Sequence, residues 1–105
     1  MIVVDGKGRY RVDGPMTLDH VAALLDQGHT VFAPDGPIEV DLGTVGEVDS
    51  SACALLLEWL RHARSRGQEI QYRNPPANLA TLASLYGLSS HLPLLDPRAA
   101  GTPAP

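Results

Sequence analysis

"IEVDLGTVGEVDSSACALLLEWLRHARSRGQEIQYR", residues 38 to 73, decides the fold. Its first five residues alternate, so Val40 and Leu42 face one side of a sheet and Glu39 and Asp41 the other side or its edge. A polar turn follows, and then an almost unbroken apolar run with Asp49, Ser50 and Ser51 at the seam. The run predicts a helix from about Ser50 to Arg66. It stops at Gly67, and Arg61, Arg64 and Arg66 occupy its last turns, where the negative end of the helix dipole favours cations. "EIQYR" then reads as a strand again.

Working outward, "MIVV" and "RYRVDG" predict two short strands joined by the Asp5-Gly6-Lys7-Gly8 turn, since Asp-Gly is a strong hairpin signal. "PMTLDHVAALLDQGH" predicts a helix with Thr17 as N-cap, Met16 and Val21 closing a hydrophobic staple, and Gly28 as its stop. Leu18, Val21, Ala22 and Leu25 supply the expected buried stripe, at spacings of three and four. "TVFAP" reads as extended up to the Pro34-Asp35-Gly36-Pro37 turn. After Asn74-Pro75-Pro76 a last helix runs through "ANLATLASLYG", with Leu79, Leu82, Ala83 and Tyr86 on one face, Gly87 as its end and Leu88 folding back on it. Residues 1–95 form the expected domain; residues 96–105 are rich in Pro, Ala and Gly and read as a tail. Strands alternating with helices in so short a chain indicate one compact α/β domain around a mixed sheet.

Composition excludes several classes. A chain of 105 residues with 44% hydrophobic residues can bury one core. Its formal charge of −4 and scattered basic residues give no footprint for nucleic acid. The single Cys53 forms no internal disulfide, and the longest apolar run, Ala52 to Leu57, is far too short to span a bilayer. A cytoplasmic location is expected.

At the seam, Ser50 is expected as N-cap, with Asp49 just before it gaining from the positive helix end. Cys53, Leu56, Leu57, Leu60 and Ala63 complete a core stripe. Leu55 and Trp59, four apart, therefore fall on a flank that one sheet need not cover. Either they form a contact patch for a partner, or the first helix or the N-terminal hairpin covers them.

Residues 40 to 76 resemble the STAS domain, shared by sulphate transporters and anti-sigma-factor antagonists: an apolar strand ending in Asp-Leu, a short loop, Val-Asp-Ser at the start of the central helix, and a strand after its glycine stop. The resemblance extends over about residues 10 to 95 and implies a STAS-like single domain, with a mixed central sheet of about four to five strands and about three packed helices. In the family's regulatory members the residue after the aspartate is phosphorylated, which maps onto Ser50. The family often has glycine at one of the next two positions, where this chain has Ser51 and Ala52. "VDSSACALLLEWLRHARSRG" and "NLATLASLYGLSSHLPLL" look closest to the MlaB-type members, small cytoplasmic subunits of phospholipid-transport ABC complexes. That resemblance implies a non-catalytic protein bound to the transporter's ATPase subunit, peripheral to the inner membrane, with Asp49, Ser50, Ser51, Leu55 and Trp59 at the partner-binding or regulatory surface. The other implied reading is an anti-sigma-factor antagonist that meets a serine kinase at the same seam.

Enzyme chemistry finds no support in the residues. Ser50 lacks a Gly-x-Ser-x-Gly elbow, and Asp49, adjacent in sequence, cannot readily orient a distant base. His20, His29, His62 and His91 are dispersed, so no catalytic residue, metal or cofactor is expected. Cys53, on the core stripe, reads as a small buried hydrophobe. The Asp5-Gly6-Lys7-Gly8 segment lacks the spacing of a phosphate-binding loop.

Overall fold

The computed structural model describes residues 1–95; the expected tail, 96–105, lies outside the described residues. The element order is β1 (Ile2–Gly6), β2 (Arg9–Val12), β3 (Gly14–Met16), α1 (Leu18–Val31), β4 (Ile38–Asp41), β5 (Val45–Val48), α2 (Ser50–Ser65), β6 (Ile70–Arg73), α3 (Ala77–Leu85) and β7 (Leu94–Leu95). The main sheet has the order β1-β2-β4-β6-β7. The hairpin β1–β2 is antiparallel and every other pairing in that sheet is parallel. Three helices and a mixed five-stranded sheet are the architecture that the strand and helix pattern predicts. A second, two-stranded parallel ladder joins β3 to β5 and was not foreseen. Both strands are short and one contains Pro15, so periodicity gave them no signal.

The strands obey the expected alternation. Ile38, Val40 and Leu42 are buried, and so are Ile70 and Tyr72 in the neighbouring strand. The opposite face carries charge, with Arg9, Glu39 and Gln71 in one row and Arg11, Asp41 and Arg73 in the next. Glu39 pairs with both Arg9 and Arg73, while Arg11 pairs with Asp5 and Asp13. These charges satisfy one another on an open face.

Helix α2 occupies the centre of the helical layer. Ala52, Cys53, Leu55, Leu56, Trp59, Leu60 and Ala63 are all buried, a band wider than one sheet could cover. The sheet takes one side, and α1 and α3 pack on the others. The Tyr72 hydroxyl, fully buried, donates to the Leu56 carbonyl at 2.7 Å and ties β6 to α2. Gly67, at φ +70°, ends the helix: its N–H bonds to Arg64 O and that of Gln68 to Ala63 O, which satisfies two of the last carbonyls. The same arrangement closes α3, where Gly87 bonds to Ser84 O and Leu88 to Ala83 O.

Helix α1 departs from expectation in three ways. It does not stop at Gly28 but runs on to Val31, so "TVFAP" contains no strand. Phe32 ends it and packs into an aromatic group, 4.8 Å from Tyr10 and 5.1 Å from Trp59 between ring centroids. The buried stripe is rotated. Leu24 and Gly28 are buried, with Val21, Leu25 and Val31 packed beside them, whereas Leu18 and Ala22 face solvent. The cause is Trp59, which lies so close to Gly28 that a Cβ there would stand 2.4 Å from the indole nitrogen. Gly28 thus serves close helix approach rather than helix termination.

Candidate functional site at the start of the central helix

Helices α1 and α2 lie side by side and run the same way. Their N-termini meet at Asp49 and their C-terminal turns meet where the His29 and His62 rings lie 4.5 Å apart, tilted by 39°. The Asp49 carboxylate serves both helix starts. Oδ1 accepts the Ser51 backbone N–H at 2.9 Å and the Ser51 hydroxyl, and Oδ2 accepts the Leu18 backbone N–H at 3.0 Å. The first N–H groups of a helix have no partner within it. One side chain here supplies a partner to each of two helices. Those bonds, the Ser51 hydroxyl's first and the Leu18 N–H next, hold the Asp49 carboxyl below the usual aspartate range.

Asp49, and not Ser50, is therefore the N-cap of α2. Its backbone is extended, at φ −134° and ψ −173°, and it makes the capping bond. Ser50 is the first helical residue and is exposed. The reason is reach: from the capping position a carboxylate spans to the N–H two residues on, while a serine one place later already has helical backbone. The Ser50 hydroxyl has no hydrogen-bond partner among the described residues. Asp49 and Ser51 engage each other, and Ser50 is left facing outward.

Leu55 and Trp59 do not lie on the surface, which corrects the expectation of an exposed contact flank. They are 3% and 2% exposed. The first helix covers this flank, made possible by the missing side chain at Gly28, and Trp59 meets Phe32 edge-on. Neither residue can touch a partner without unfolding that contact. Leu57, expected in the core stripe, is half-buried at its margin. Tyr86, expected on the inner face of α3, is exposed, as are Leu85 and Leu18.

Leu18 is the residue that sequence reading missed. Placed in the first turn of α1, it continues the three-and-four spacing of Val21, Ala22 and Leu25 and so reads as core, yet it is 73% exposed. Its backbone N–H is the one bonded to Asp49. The first helical residues of α1 and α2, Leu18 and Ser50, therefore stand on either side of one carboxylate.

Cys53 is buried, and burial pushes its thiol pKa up, away from reactivity. No group of three or more potential metal ligands occurs among the described residues, and no helix there is long and apolar enough to cross a membrane.

A sheet of this order, three helices on one face and an exposed serine leading an aspartate-capped central helix are the features of a STAS domain, and the chain belongs to that family: the family model described as "Mlab, STAS domain" matches residues 4–96. Among solved structures, the anti-sigma factor antagonist SpoIIAA in its unphosphorylated form superposes with a TM-score of 0.71 at 15% identity, over 99% of this chain and 98% of that one. A Thermotoga maritima protein described as an anti-sigma factor antagonist by assignment gives 0.72 at 15%, over 93% and 86%. The Bacillus cell fate determinant SpoIIAA in its phosphorylated form gives 0.62 at 16%, over 95% and 94%. At these identities the structures share the fold. No curated protein matches the chain. STAS domains of this kind are typically non-catalytic and act through protein–protein contact.

Proposed function

We propose that this chain is a non-catalytic, MlaB-like subunit that docks on the cytoplasmic ATPase subunit of a phospholipid-transport ABC complex, one that maintains the lipid asymmetry of an outer membrane. In this reading it works in the cytoplasm and reaches the inner membrane only through the complex. The observation that carries the reading is the exposed Ser50 hydroxyl, presented at the start of the central helix of a chain whose family model bears the MlaB description. Asp49 and Ser51 belong to the same surface as the groups that hold Ser50 in place, and Leu55 and Trp59 support it from inside.

A second reading rests on a specific observation. SpoIIAA shares the fold in both its unphosphorylated and phosphorylated forms, and Ser50 is free to accept a phosphate in the same setting. In that reading the chain is an anti-sigma-factor antagonist whose partner is a serine kinase. Both readings expect no cofactor and no direct membrane insertion.

The test is titration of the purified chain against the purified ATPase subunit from the same organism and, in parallel, against its serine-kinase anti-sigma factors. Saturable binding to the ATPase, weakened in Ser50→Asp and kept in Ser50→Thr, supports the transporter reading. Phosphate transfer to Ser50 by a kinase, with no ATPase binding, favours the second.

A further inference from the structure

We infer that Leu18 and Ser50 form a single docking patch, set by Asp49 as the positioning residue, and that it takes an apolar pocket with a basic rim on the ATPase subunit. The inference rests on the transporter reading and specifies the surface that reading leaves open. Its starting point is that Asp49 bonds the backbone N–H of Leu18 with one oxygen and caps α2 with the other, which brings the first helical residue of each helix to one place. One of those residues offers a free hydroxyl. The other offers a leucine that is 73% exposed, at a position whose backbone is tethered and whose side chain is not.

The charge around the patch identifies what meets it. Neither residues 14–27 nor residues 42–57, the two stretches that build it, contain a single Lys or Arg. Asp19 and Glu47 flank it and are exposed. Asp49 is already engaged by the Ser51 and Leu18 donors, so its charge is held inside the patch. An apolar side chain and a hydroxyl inside an acidic margin complement a partner pocket that is apolar at its centre and basic at its rim. Such a contact associates faster at low salt, because exposed opposite charges are screened over about 10 Å at 0.1 M ionic strength. Leu18 thus takes the anchoring part that sequence reading gave to Trp59.

The experiment is calorimetric titration of the full chain against the purified ATPase subunit at two ionic strengths, with Leu18→Gln, Leu18→Ala and Leu85→Gln alongside the parent. Leu85 is equally exposed, at 74%, but lies at the end of α3. The expected result is a loss of about fivefold or more in affinity for both Leu18 variants, parental affinity for Leu85→Gln, and weaker binding of the parent at high salt. Thermal melting of each variant alone separates folding from binding. If Leu18→Gln unfolds, Leu18→Ala is read in its place. Parental affinity in the Leu18 variants overturns the patch while leaving the transporter reading intact, as does an equal loss in Leu85→Gln. Absence of binding by the parent overturns both.

Discussion

At the scale of single residues, the seam separates two duties that sequence alone assigns to one side chain. Ser50 reads as the cap because serine is a favoured cap and stands where the apolar run begins. The structure gives the cap to Asp49, since a carboxylate one place earlier reaches both the Ser51 N–H and, across to α1, the Leu18 N–H. Stability therefore depends little on Ser50. Ser50→Ala and Ser50→Asp are expected to lie within about 0.5 kcal/mol of the parent in urea unfolding, as for exposed positions without special contacts. Asp49→Ala is expected to lower the midpoint clearly, because it strips donors at two helix starts. A Ser50→Ala variant less stable than Asp49→Ala would reassign the cap.

At the scale of elements, the fit of α1 against α2 turns on Gly28. Alanine is ordinarily the better helix former by about 1 kcal/mol. Here its Cβ would press on the Trp59 indole, with Phe32 also near at 3.0 Å, and overpacking of a core contact costs about 1–3 kcal/mol. Gly28→Ala is accordingly expected to destabilise the chain despite its helical setting, and Trp59→Ala to cost about 3–5 kcal/mol, the usual range for a buried aromatic. Both are read from urea unfolding, and a stabilised Gly28→Ala would mean that the helices can part at no cost. This contact also marks the limit of what the chain discloses in one dimension. The hairpin, the two glycine stops at Gly67 and Gly87, the alternation of β4 and the extent of α2 are local patterns and were legible. Whether Trp59 faces solvent depends on a glycine 31 positions earlier in the chain, and no periodicity within either helix records that pairing. The same rotation of α1 that buries Gly28 turns Leu18 outward, so the misplaced stripe and the missed surface leucine have one cause. β3 and β5 escaped notice because their ladder is short and non-local. The seam itself was legible as a motif, but which of its three polar residues does what required the coordinates.

At the scale of the whole molecule, two parallel helices are fastened at one end by a carboxylate and at the other by a histidine pair, and the two fastenings respond to different pH ranges. At the C-terminal end His62 packs against His29 with the rings tilted, and Arg66 donates to its Nε2 at 3.3 Å while also reaching Pro34 O at 2.8 Å. Partial burial, then His29, then Arg66 lower the His62 pKa from its ordinary 6.5. The unfolded chain therefore takes up that proton more readily than the folded one, and stability falls as pH drops below about 6.5, levelling off once the folded-state His62 is protonated too. Asp49 works in the lower window. Its folded pKa lies below the ordinary 3.8, so its contribution is complete above that value and is lost as pH falls through the folded one. Acidification should thus weaken the domain in two separable steps. His62→Gln is expected to flatten the first step, below about pH 6.5, and leave the second; Asp49→Asn is expected to reduce the second, below about pH 4, a window it shares with Asp13, whose pKa the bonds from Thr44 and Arg11 also lower, and to leave the first. Urea midpoints measured at half-unit pH intervals for the parent and both variants decide the matter. If His62→Gln retains the full upper step, His62 does not govern it and another group must.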